Sequence, residues 1–421
     1  MSVEYSRPRG THDVLPDEVF RWQHVESAFA GLASRFGYSE IRTPTFEPTD
    51  LFTRTSGDTS DIVTKQMYTF TDKGDRSMTL KPEATAPAMR AYLEGGLAGS
   101  GQIARLWYNT RIYRYERPQK GRHRESYQVG VELIGSSSPS ADAEVIELTV
   151  GFYEEIGLSG VTVKLNCIGK AATREKYGAA LLEHADAWLK DQDQDIRDRA
   201  EKNPLRLLDS KSSEVQRAME GAPLITDYLE DSSRQHFEQV QSLLSDANVS
   251  FELAPEIVRG LDYYTDTVFE VQDSGLGAQN ALCGGGRYDG LVADIGGPDT
   301  PSVGVAMGIE RALMAMEGQG VELSKPRLDV YLVAASESAW RPIAELARAC
   351  RAKRLSASYD LDHRPVSKQF KQADRAGARF AIVIGDDELS SSSVTLRDLD
   401  SREQSVVPLA EVIGRICDMR E

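Results

Sequence analysis

The 421-residue sequence lacks a long apolar run and contains only four cysteines and six histidines. No stretch approaches the roughly 18 apolar residues that a membrane-spanning helix needs, and the first residues lack the apolar core of a signal peptide. We therefore expect a soluble, cytoplasmic protein without a membrane partner. The cysteines are far apart and form no CxxC pair, so we expect neither a disulfide framework nor a metal site.

Two common nucleotide-binding motifs are also missing. The sequence has no GxxxxGK[ST] phosphate loop and no strand–GxGxxG–helix unit of the kind that binds dinucleotides. Both absences disfavour folds that hold phosphates on a glycine-rich loop. Arginine-based phosphate binding on an antiparallel sheet remains.

Positive charge is scarce, since 49 Lys and Arg against 65 Asp and Glu give a net charge of −16. That charge would count against a nucleic-acid partner if it were evenly spread. However, residues 326–421 hold 15 basic and 15 acidic residues, so the rest of the chain carries the whole excess. Within this tail, 341–379 hold ten basic and four acidic residues. The pattern leaves open an RNA-binding surface or a solvated helix face.

The predicted elements divide the chain into 1–325 and 326–421. The first part contains period-2 segments joined by loops, which predict an antiparallel sheet, at 77–80, 104–108, 129–134, 161–166 and 267–271. A helix is predicted from an N-cap at Asp17 to Gly37. The polar, helix-forming stretch at about 170–250 predicts a helical insertion, so this part should have an α+β fold with flanking helices.

The second part alternates strand and helix signals. Strands are predicted at 328–334, 358–361, 380–384 and 394–399. Helices are predicted at 340–355, at 367–377 and at the C-terminus. This alternation predicts a small α/β domain with a mostly parallel core.

The densest cluster of chemically active residues is RIYRYERPQKGRHRESYQVGVE at 111–132, with six basic residues within 14 positions. A proline and a glycine inside the basic run predict a strand–loop–strand unit. In a strand, Arg114 and Glu116 would share one face. A guanidinium there could bind phosphate, and a carboxylate could bind a base amino group. A charged hairpin with cross-strand ion pairs is the alternative.

Other segments hold weaker candidates. Glu83 follows a strand-like run, where it could accept an ammonium group or cap the next helix while facing solvent. Tyr263 and Tyr264 could simply pack in a core, although an Arg and a Gly precede them. The glycine run at 284–286 would permit positive φ and close backbone approach, but such a run is usually a turn. Arg311 begins a helix, either at the edge of a site or as a solvated first-turn residue.

Together these segments resemble the histidyl-tRNA synthetase family of class II aminoacyl-tRNA synthetases along nearly the whole chain. The resemblance rests on PRGTHD at 8–13, the segment 36–46, the arginine-rich strand and loop from Arg114, RGLDYY at 259–264 and GIER at 308–311. RGLDYY and ERPQKGR at 116–122 are the most specific of these motifs. The resemblance implies a class II catalytic domain at 1–325 and an anticodon-binding α/β domain at 326–421.

The resemblance also implies an activity and its partners. Family members activate L-histidine with ATP to histidyl-adenylate and then charge the 3′ end of tRNA(His). We therefore expect histidine, ATP with its associated Mg²⁺, and tRNA(His) as partners, with no dedicated protein metal cluster. A homodimer with the segment 36–46 at its interface is also implied.

Individual roles follow from the resemblance, residue by residue. The α-ammonium group would be held by Glu83, Thr85 and Gln128. The imidazole would be recognised by Glu132, Tyr263 and Tyr264. The catalytic arginines on the α-phosphate would be Arg114 and Arg259, with Arg122 and Arg311 on the outer phosphates. Glu116 would face the adenine, and Arg117 and Gln119 would meet the tRNA acceptor end.

One position departs from the family pattern. Ser126 stands where the family usually has an aromatic residue that packs on adenine, so either Tyr127 takes over this stacking or the adenine is held less tightly. A catalytically inactive, synthetase-like regulatory subunit of ATP phosphoribosyltransferase is the main alternative, and an inactive RNA-binding scaffold is another. The regulatory subunit typically loses RGLDYY and the tail. Both are present here, which favours the enzyme.

Overall fold

The computed structural model describes residues 5–57, 60, 62–119, 121–208, 210, 212–258, 261–277 and 280–420. Its contacts divide the chain into two compact units, Met1–Leu323 (unit 1) and Ser324–Glu421 (unit 2). Among the described residues, none of the helices combines the length and the apolar composition that crossing a membrane demands. Arg259 and Gly260 of the RGLDYY motif and Lys120 lie outside the described residues.

Unit 1 combines α-helices with two sheets. Its helices are α1 (Val19–Arg35), α2 (Thr49–Ser56), α3 (Thr85–Glu94), α4 (Pro139–Glu155), α5 (Ala171–Lys190), α6 (Gln194–Lys202), α7 (Ser213–Ala218), α8 (Asp231–Asp246), α9 (Leu291–Asp294) and α10 (Ile309–Gly318). A π-helical turn spans Ile62–Gln66, and 3₁₀ turns span Leu97–Ser100, Pro204–Leu207, Ile225–Tyr228 and Ser274–Leu276. Its strands are β1 (Ser39–Glu40), β2 (Phe46–Pro48), β3 (Tyr68–Thr71), β4 (Ser77–Leu80), β5 (Ala104–Tyr113), β6 (Glu125–Ile134), β7 (Thr162–Cys167), β8 (Phe251–Leu253), β9 (Thr265–Gln272), β10 (Ala281–Arg287) and β11 (Ser302–Gly308).

The large sheet of unit 1 has the strand order β1-β5-β6-β11-β10-β9-β7-β8 among the described residues. Its inner neighbours all pair antiparallel, whereas the short edge strands β1 and β8 run parallel to their neighbours. The predicted antiparallel sheet is therefore confirmed. A separate small sheet has the order β2-β4-β3.

The two faces of the large sheet carry different side chains because successive strand residues point to opposite faces. Along β6, Val129, Val131 and Leu133 pack into the main core with α1, α4, α8 and α10. The residues between them, including Gln128 and Glu132, face the opposite side. That opposite face of β5, β6 and β11 holds the candidate site.

The predicted helical insertion consists of α5 to α8 with short turns. Helix α5 buries Tyr177 and Leu181 in a second core on the other side of the sheet. Helix α8 differs, since its Phe237 and Val240 pack in the main core with α4. The last helix of this stretch is thus part of the body of unit 1.

The predicted N-cap of the first helix and the predicted glycine turn are both wrong. The first helix begins at Val19 with Glu18 at the N-cap position and without a side-chain cap, so Asp17 is not the N-cap. The glycine run at 284–286 is not a turn, because it lies within strand β10. A Cβ on Gly285 would collide with the Gly304 carbonyl and the Phe269 ring, so glycine allows these strands to pack closely.

Unit 2 contains α11 (Trp340–Ala352), α12 (Val366–Arg375), α13 (Asp386–Ser390) and α14 (Val412–Arg420), with a 3₁₀ turn at Glu337–Ala339. Its strands are β12 (Val330–Ala334), β13 (Ala357–Tyr359), β14 (Phe380–Ile384), β15 (Ser393–Asp398) and β16 (Gln404–Pro408), in the order β13-β12-β14-β15-β16. The pairs of β12 with β13 and β14 are parallel, but those of β15 are antiparallel. The core strands β13, β12 and β14 are therefore parallel as predicted, whereas β15 and β16 add an antiparallel edge. The connections into β15 and β16 are too short for a crossover to a parallel strand.

Candidate active site

A cavity of about 390 Å³ opens on the site-facing side of β5, β6 and β11 in unit 1. It gathers residues from segments that are far apart in the sequence. The residues predicted to be functional that line it are Glu83, Thr85, Arg114, Glu116, Arg122, Gln128, Tyr263, Tyr264 and Arg311.

Glu83 lies between β4 and α3 and is almost completely buried. Its carboxylate accepts hydrogen bonds from the backbone N–H groups of Thr85 (2.6 Å) and Ala86 (2.9 Å) at the start of α3. Burial raises the pKa of Glu83, whereas the two N–H groups and the charge of Arg114 act in the opposite direction. Glu83 thus caps the helix, as one alternative proposed, but it lines the cavity and does not face solvent.

Gln128 and the paired tyrosines form another part of the wall. The Oε1 atom of Gln128 is buried and has no hydrogen-bond partner among the described residues. A buried acceptor without a partner is costly, and a donor on a bound ligand would relieve that cost. Tyr263 and Tyr264 are buried, with ring centroids 4.7 Å apart.

Glu132 lies beside Gly304 on the site-facing side of the sheet; it is fully buried and does not itself line the cavity. Its two carboxylate oxygens accept hydrogen bonds from the hydroxyls of Tyr288 and of Tyr108, the latter at 3.2 Å. Burial raises the pKa of Glu132 to about 8, while hydroxyls near the carboxylate, including that of Tyr288, lower it. A Cβ on Gly304 would collide with Glu132 and Tyr288, so glycine is required at that position.

Arginines form a further part of the cavity wall. Arg114 comes directly after β5, so it is not within the strand as predicted; its Nε donates to Pro82 O at 2.7 Å, and its Nη1 is 3.9 Å from Glu116 Oε1. Arg311 donates from Nε and Nη2 to Ala281 O at 3.0 and 2.8 Å. Burial lowers the pKa of Arg311, and the charge of Arg122 adds to this effect. Two neighbouring guanidinium groups favour an anion between them.

Arg117 and Gln119 do not line the cavity. Arg117 and Gln119 are exposed on the loop that joins β5 to β6. Part of the charged-hairpin alternative also holds, because Arg111 on β5 pairs with Glu125 on β6 at 3.3 Å. The strands that flank the loop are therefore joined by an ion pair, and side chains on the loop itself are exposed.

Tyr127 requires a correction. Its ring lies on the opposite face of β6 from Gln128, where it packs edge-on to Trp22 at 4.9 Å and beneath the guanidinium of Arg111 at 4.9 Å. Because strand residues alternate in direction, Tyr127 cannot share the face of Gln128 and Ser126. Tyr127 is therefore not placed to stack on a base in this cavity, whereas Ser126 lines it.

The structure also adds residues to which the sequence gave no role. Glu310, directly before Arg311, lines the cavity and accepts a hydrogen bond from Tyr127 N at 3.0 Å. Burial raises the pKa of Glu310 to about 7. Arg206, from the 3₁₀ turn of the helical stretch, also lines the cavity. Tyr108, which donates to Glu132, also had no predicted role; period-2 alternation along β5 could have identified it. No local signal identifies Arg206.

The sequence matches two family models, one described as histidyl-tRNA synthetase over residues 10–312 and one described as an anticodon binding domain over residues 329–418. A histidine–tRNA ligase from a Picosynechococcus species is 46% identical over 413 residues, covering 98% of this chain and 97% of that protein. The crystal structure of apo histidyl-tRNA synthetase from S. aureus matches with a TM-score of 0.84 at 36% identity, covering 98% of this chain and 99% of that one.

A more distant match bears on the regulatory-subunit alternative. A chain from Bacillus halodurans, described as an ATP phosphoribosyltransferase regulatory subunit/histidyl-tRNA synthetase, has a TM-score of 0.67 at 23% identity and covers 91% of this chain and 99% of that one. This likeness shows a shared fold alone. The histidyl-tRNA synthetase model, in contrast, covers most of unit 1, and the Picosynechococcus relative aligns over nearly the whole chain. By these matches the chain belongs to the histidyl-tRNA synthetase family.

Proposed function

We propose that this chain is a histidine–tRNA ligase that activates L-histidine with ATP and transfers it to the 3′ end of tRNA(His). The observation that carries the proposal is the gathering of candidate residues in one cavity. Carboxylate and amide groups, paired tyrosines and arginines reach it from 83–85, 114–128, 263–264 and 308–311. That combination suits an amino acid beside a nucleotide.

In the proposed complex, histidine lies at the inner end of the cavity. Glu83, Thr85 and Gln128 would bind its α-ammonium group, and the unpartnered Gln128 Oε1 supports this assignment. Glu132 and Tyr264, with Tyr263 nearby, would recognise the imidazole. A site that must pair an imidazole N–H strongly rejects apolar analogues, because its own polar groups would be left unpaired.

The proposed chemistry needs positioning and charge, not a covalent enzyme intermediate. A carboxylate oxygen of histidine attacks the α-phosphorus of ATP, a P–O bond forms, and the bond to pyrophosphate breaks. Arg114 and Arg259 would stabilise the charge on the α-phosphate, and Arg122 and Arg311 the charge on the outer phosphates. Glu116 would bind the adenine.

Mg²⁺ would enter bound to the phosphates of ATP. Among the described residues, no group of three or more His, Cys, Asp or Glu side chains could hold a metal ion. Mg²⁺ commonly uses one or two protein carboxylates together with substrate phosphates. The carboxylate of Glu310 on the cavity wall fits that need.

The second step requires tRNA. The hydroxyl of the terminal adenosine would attack the acyl carbon of the adenylate and displace AMP, with Arg117 and Gln119 at the acceptor end. We assign 1–325 as the catalytic domain and 326–421 as the anticodon-binding domain. The helical insertion at about 170–250 belongs to the catalytic domain, and its last helix, α8, packs into the main core. The match of 329–418 to an anticodon binding domain supports the second assignment. We place this activity in the cytoplasm.

We also propose that the enzyme is a homodimer. Phe46 and Phe70 on the small sheet are 50% and 42% exposed, and their rings meet at 6.2 Å. Exposed aromatic pairs of this kind are enriched at protein interfaces. Phe46 ends the segment 36–46, so its exposed contact with Phe70 supports the interface that the family resemblance implied.

The regulatory-subunit alternative predicts no amino-acid activation, so one assay separates the two. ATP–pyrophosphate exchange should depend on histidine and on none of the other standard amino acids. Arg259→His should reduce this exchange by at least about 10²–10³-fold without unfolding the protein. Absence of exchange with every amino acid would exclude the ligase, and full exchange by Arg259→His would remove that residue from the mechanism.

A further inference from the structure

The N-terminal segment forms a tight turn at Pro8, Arg9, Gly10 and Thr11. Thr11 N and Thr11 Oγ1 both donate to Pro8 O, at 3.1 and 2.8 Å. Gly10 has a φ of +87°, which is the conformation that the third position of a type II turn requires. The turn is therefore fixed by its own hydrogen bonds and by its glycine.

This turn contacts the arginine-rich loop, defined here as residues 114–119 and 121–124. The backbone N–H of Arg124 donates to Gly10 O at 2.7 Å. A Cβ on Gly10 would lie 2.8 Å from Pro118 Cγ and 2.9 Å from Arg124 Cδ and Cγ, so the loop packs directly against the glycine. His12 and His123 add a stacked contact, with ring centroids 6.2 Å apart.

Arg124 links the turn to both ends of the loop. Its carbonyl accepts a hydrogen bond from Arg114 N at 3.0 Å, and its Nε donates to Glu116 O at 3.3 Å. Its guanidinium also lies 3.9 Å from the centre of the Tyr115 ring. Arg124 thus connects Gly10 to the segment that carries Arg114 and Glu116.

We infer that the Pro8–Arg9–Gly10–Thr11 turn acts through Arg124 and Pro118 to position the arginine-rich loop over the nucleotide end of the cavity. Gly10 and Arg124 are positioning residues, since neither lines the cavity. The inference rests on the proposed function, because Glu116 and Arg122 of this loop are the proposed ATP contacts. The proposed histidine-binding residues lie on other elements, so the two substrates should respond differently when the turn is disturbed.

The test compares two glycine-to-alanine variants with nearly the same backbone cost. Gly10→Ala introduces a Cβ at φ +87° and also a collision with the loop. Gly296→Ala introduces a Cβ at φ +89° with no atom within 4 Å. In histidine-dependent exchange, Gly10→Ala should lower kcat/KM for ATP by about 10- to 100-fold and leave KM for histidine within about twofold. Gly296→Ala should leave both close to wild type.

A second measurement reports the loop without using activity. Trypsin cleavage after Arg122, followed by mass spectrometry, should be faster in Gly10→Ala than in wild type or Gly296→Ala. If Gly10→Ala unfolds, Pro118→Ala removes the contacting ring but keeps the turn, and it should lower kcat/KM for ATP in the same direction.

The outcomes are separable. Equal ATP kinetics and equal cleavage for Gly10→Ala and Gly296→Ala would overturn the positioning role. Equal losses for ATP and histidine would also overturn it, because they would indicate general damage. If wild-type protein shows no exchange, the proposed function fails, and the cleavage comparison still decides whether the turn holds the loop.

Discussion

Tyr288 donates a hydrogen bond to the carboxylate of Glu132, and the two side chains meet beside Gly304, which lines the cavity. Burial raises the pKa of Glu132 to about 8, and the hydrogen bond from the Tyr288 hydroxyl is the largest of the effects that lower it. An ionised carboxylate accepts a hydrogen bond from an imidazole N–H more strongly than a neutral one. The Tyr288 hydroxyl therefore helps to keep Glu132 in the form that binds histidine in the proposed complex.

Replacing Tyr288 by phenylalanine should make histidine binding depend more steeply on pH. Loss of the donor raises the pKa of Glu132 further, so a smaller fraction is ionised near neutral pH. We compare the two proteins by dividing KM for histidine in Tyr288→Phe by KM for histidine in wild type. This ratio should be largest near about pH 7 and should fall toward about pH 9. Titration of histidine itself affects both proteins equally and cancels in the ratio.

A matched control removes another buried tyrosine hydroxyl. Tyr177 donates to Pro223 O at 3.0 Å in the second core and does not line the cavity. Tyr177→Phe should give a ratio that does not change with pH. A pH-independent ratio for Tyr288→Phe as well would mean that its hydroxyl does not control the ionisation of Glu132.

The parts of the fold that were predictable are those with local signals. Period-2 alternation predicted β4 and the apolar run predicted β14, both with the observed bounds. Strand β10 was mistaken for a turn because its glycines are required by close cross-strand contacts, such as that between Gly285 and Gly304. Such contacts join residues far apart in sequence, and local pattern carries no record of them.

The candidate site also contains residues that could be predicted from the sequence and residues that could not. The family resemblance supplied roles for Glu83 and Arg114, and both line the cavity. Tyr127 was misplaced because its role was considered without the alternation along β6, which sends it to the face of Trp22. Arg206 could not be found, since it reaches the cavity from the helical stretch only through the tertiary fold.

Glu83 has two separable tasks, as a helix cap and as a proposed ligand for the ammonium group. Glu83→Gln keeps an amide oxygen that can accept from a backbone N–H, but it loses the charge. Glu83→Ala leaves the buried N–H groups of Thr85 and Ala86 without that acceptor. Glu83→Ala should therefore lower the free energy of unfolding by about 1–3 kcal/mol more than Glu83→Gln does.

Urea unfolding and the KM for histidine test the two tasks together. Both variants should raise KM for histidine strongly, because both remove the carboxylate. Equal stabilities would contradict the capping role. An unchanged KM in Glu83→Gln would contradict the ligand role.

The buried ion pair between Asp142 and Arg287 should contribute strongly to the stability of unit 1. Arg287 is 1% exposed and donates to Asp142 from both Nε and Nη2, and its Nη1 donates to Ser136 O at 2.9 Å. Asp142→Asn removes one of the two carboxylates that contact the buried guanidinium, because Asp289 Oδ1 also lies 3.1 Å from Arg287 Nη1. The loss should therefore be smaller than the roughly 3–5 kcal/mol that breaking a buried pair typically costs. Denaturant unfolding measures this loss.

The same pair predicts a pH dependence with a defined sign. Burial alone would raise the pKa of Asp142, but the His236 hydrogen bond and the charge of Arg287 hold it below the ordinary value of 3.8. A carboxylate whose pKa is lower in the folded than in the unfolded state stabilises the folded protein at pH values above its unfolded-state pKa. This stabilisation is lost as the pH falls through the folded-state pKa. The stability gap between wild type and Asp142→Asn should therefore narrow below about pH 4. A constant gap would mean that Asp142 is not ionised in the folded protein.

Unit 2 should matter for tRNA and not for adenylate formation. The candidate residues of the cavity all lie in unit 1, and unit 2 has hydrophobic cores of its own. Deleting 326–421 should therefore reduce tRNA charging far more than pyrophosphate exchange. Equal losses in both assays would assign unit 2 a structural role.

A milder change tests whether the basic stretch at 341–379 contacts RNA or is only a solvated helix face. Lys368 and Lys371 are exposed on α12. If they contact phosphates, replacing both by alanine should weaken tRNA binding and reduce the slope of log affinity against log salt by about 1 for each lost contact. Arg402→Ala with Arg415→Ala is the control, since it removes the same charge from exposed positions of unit 2 outside this stretch. Because general electrostatic attraction would respond equally to both double variants, a smaller slope in the lysine variant alone assigns α12 to the RNA surface.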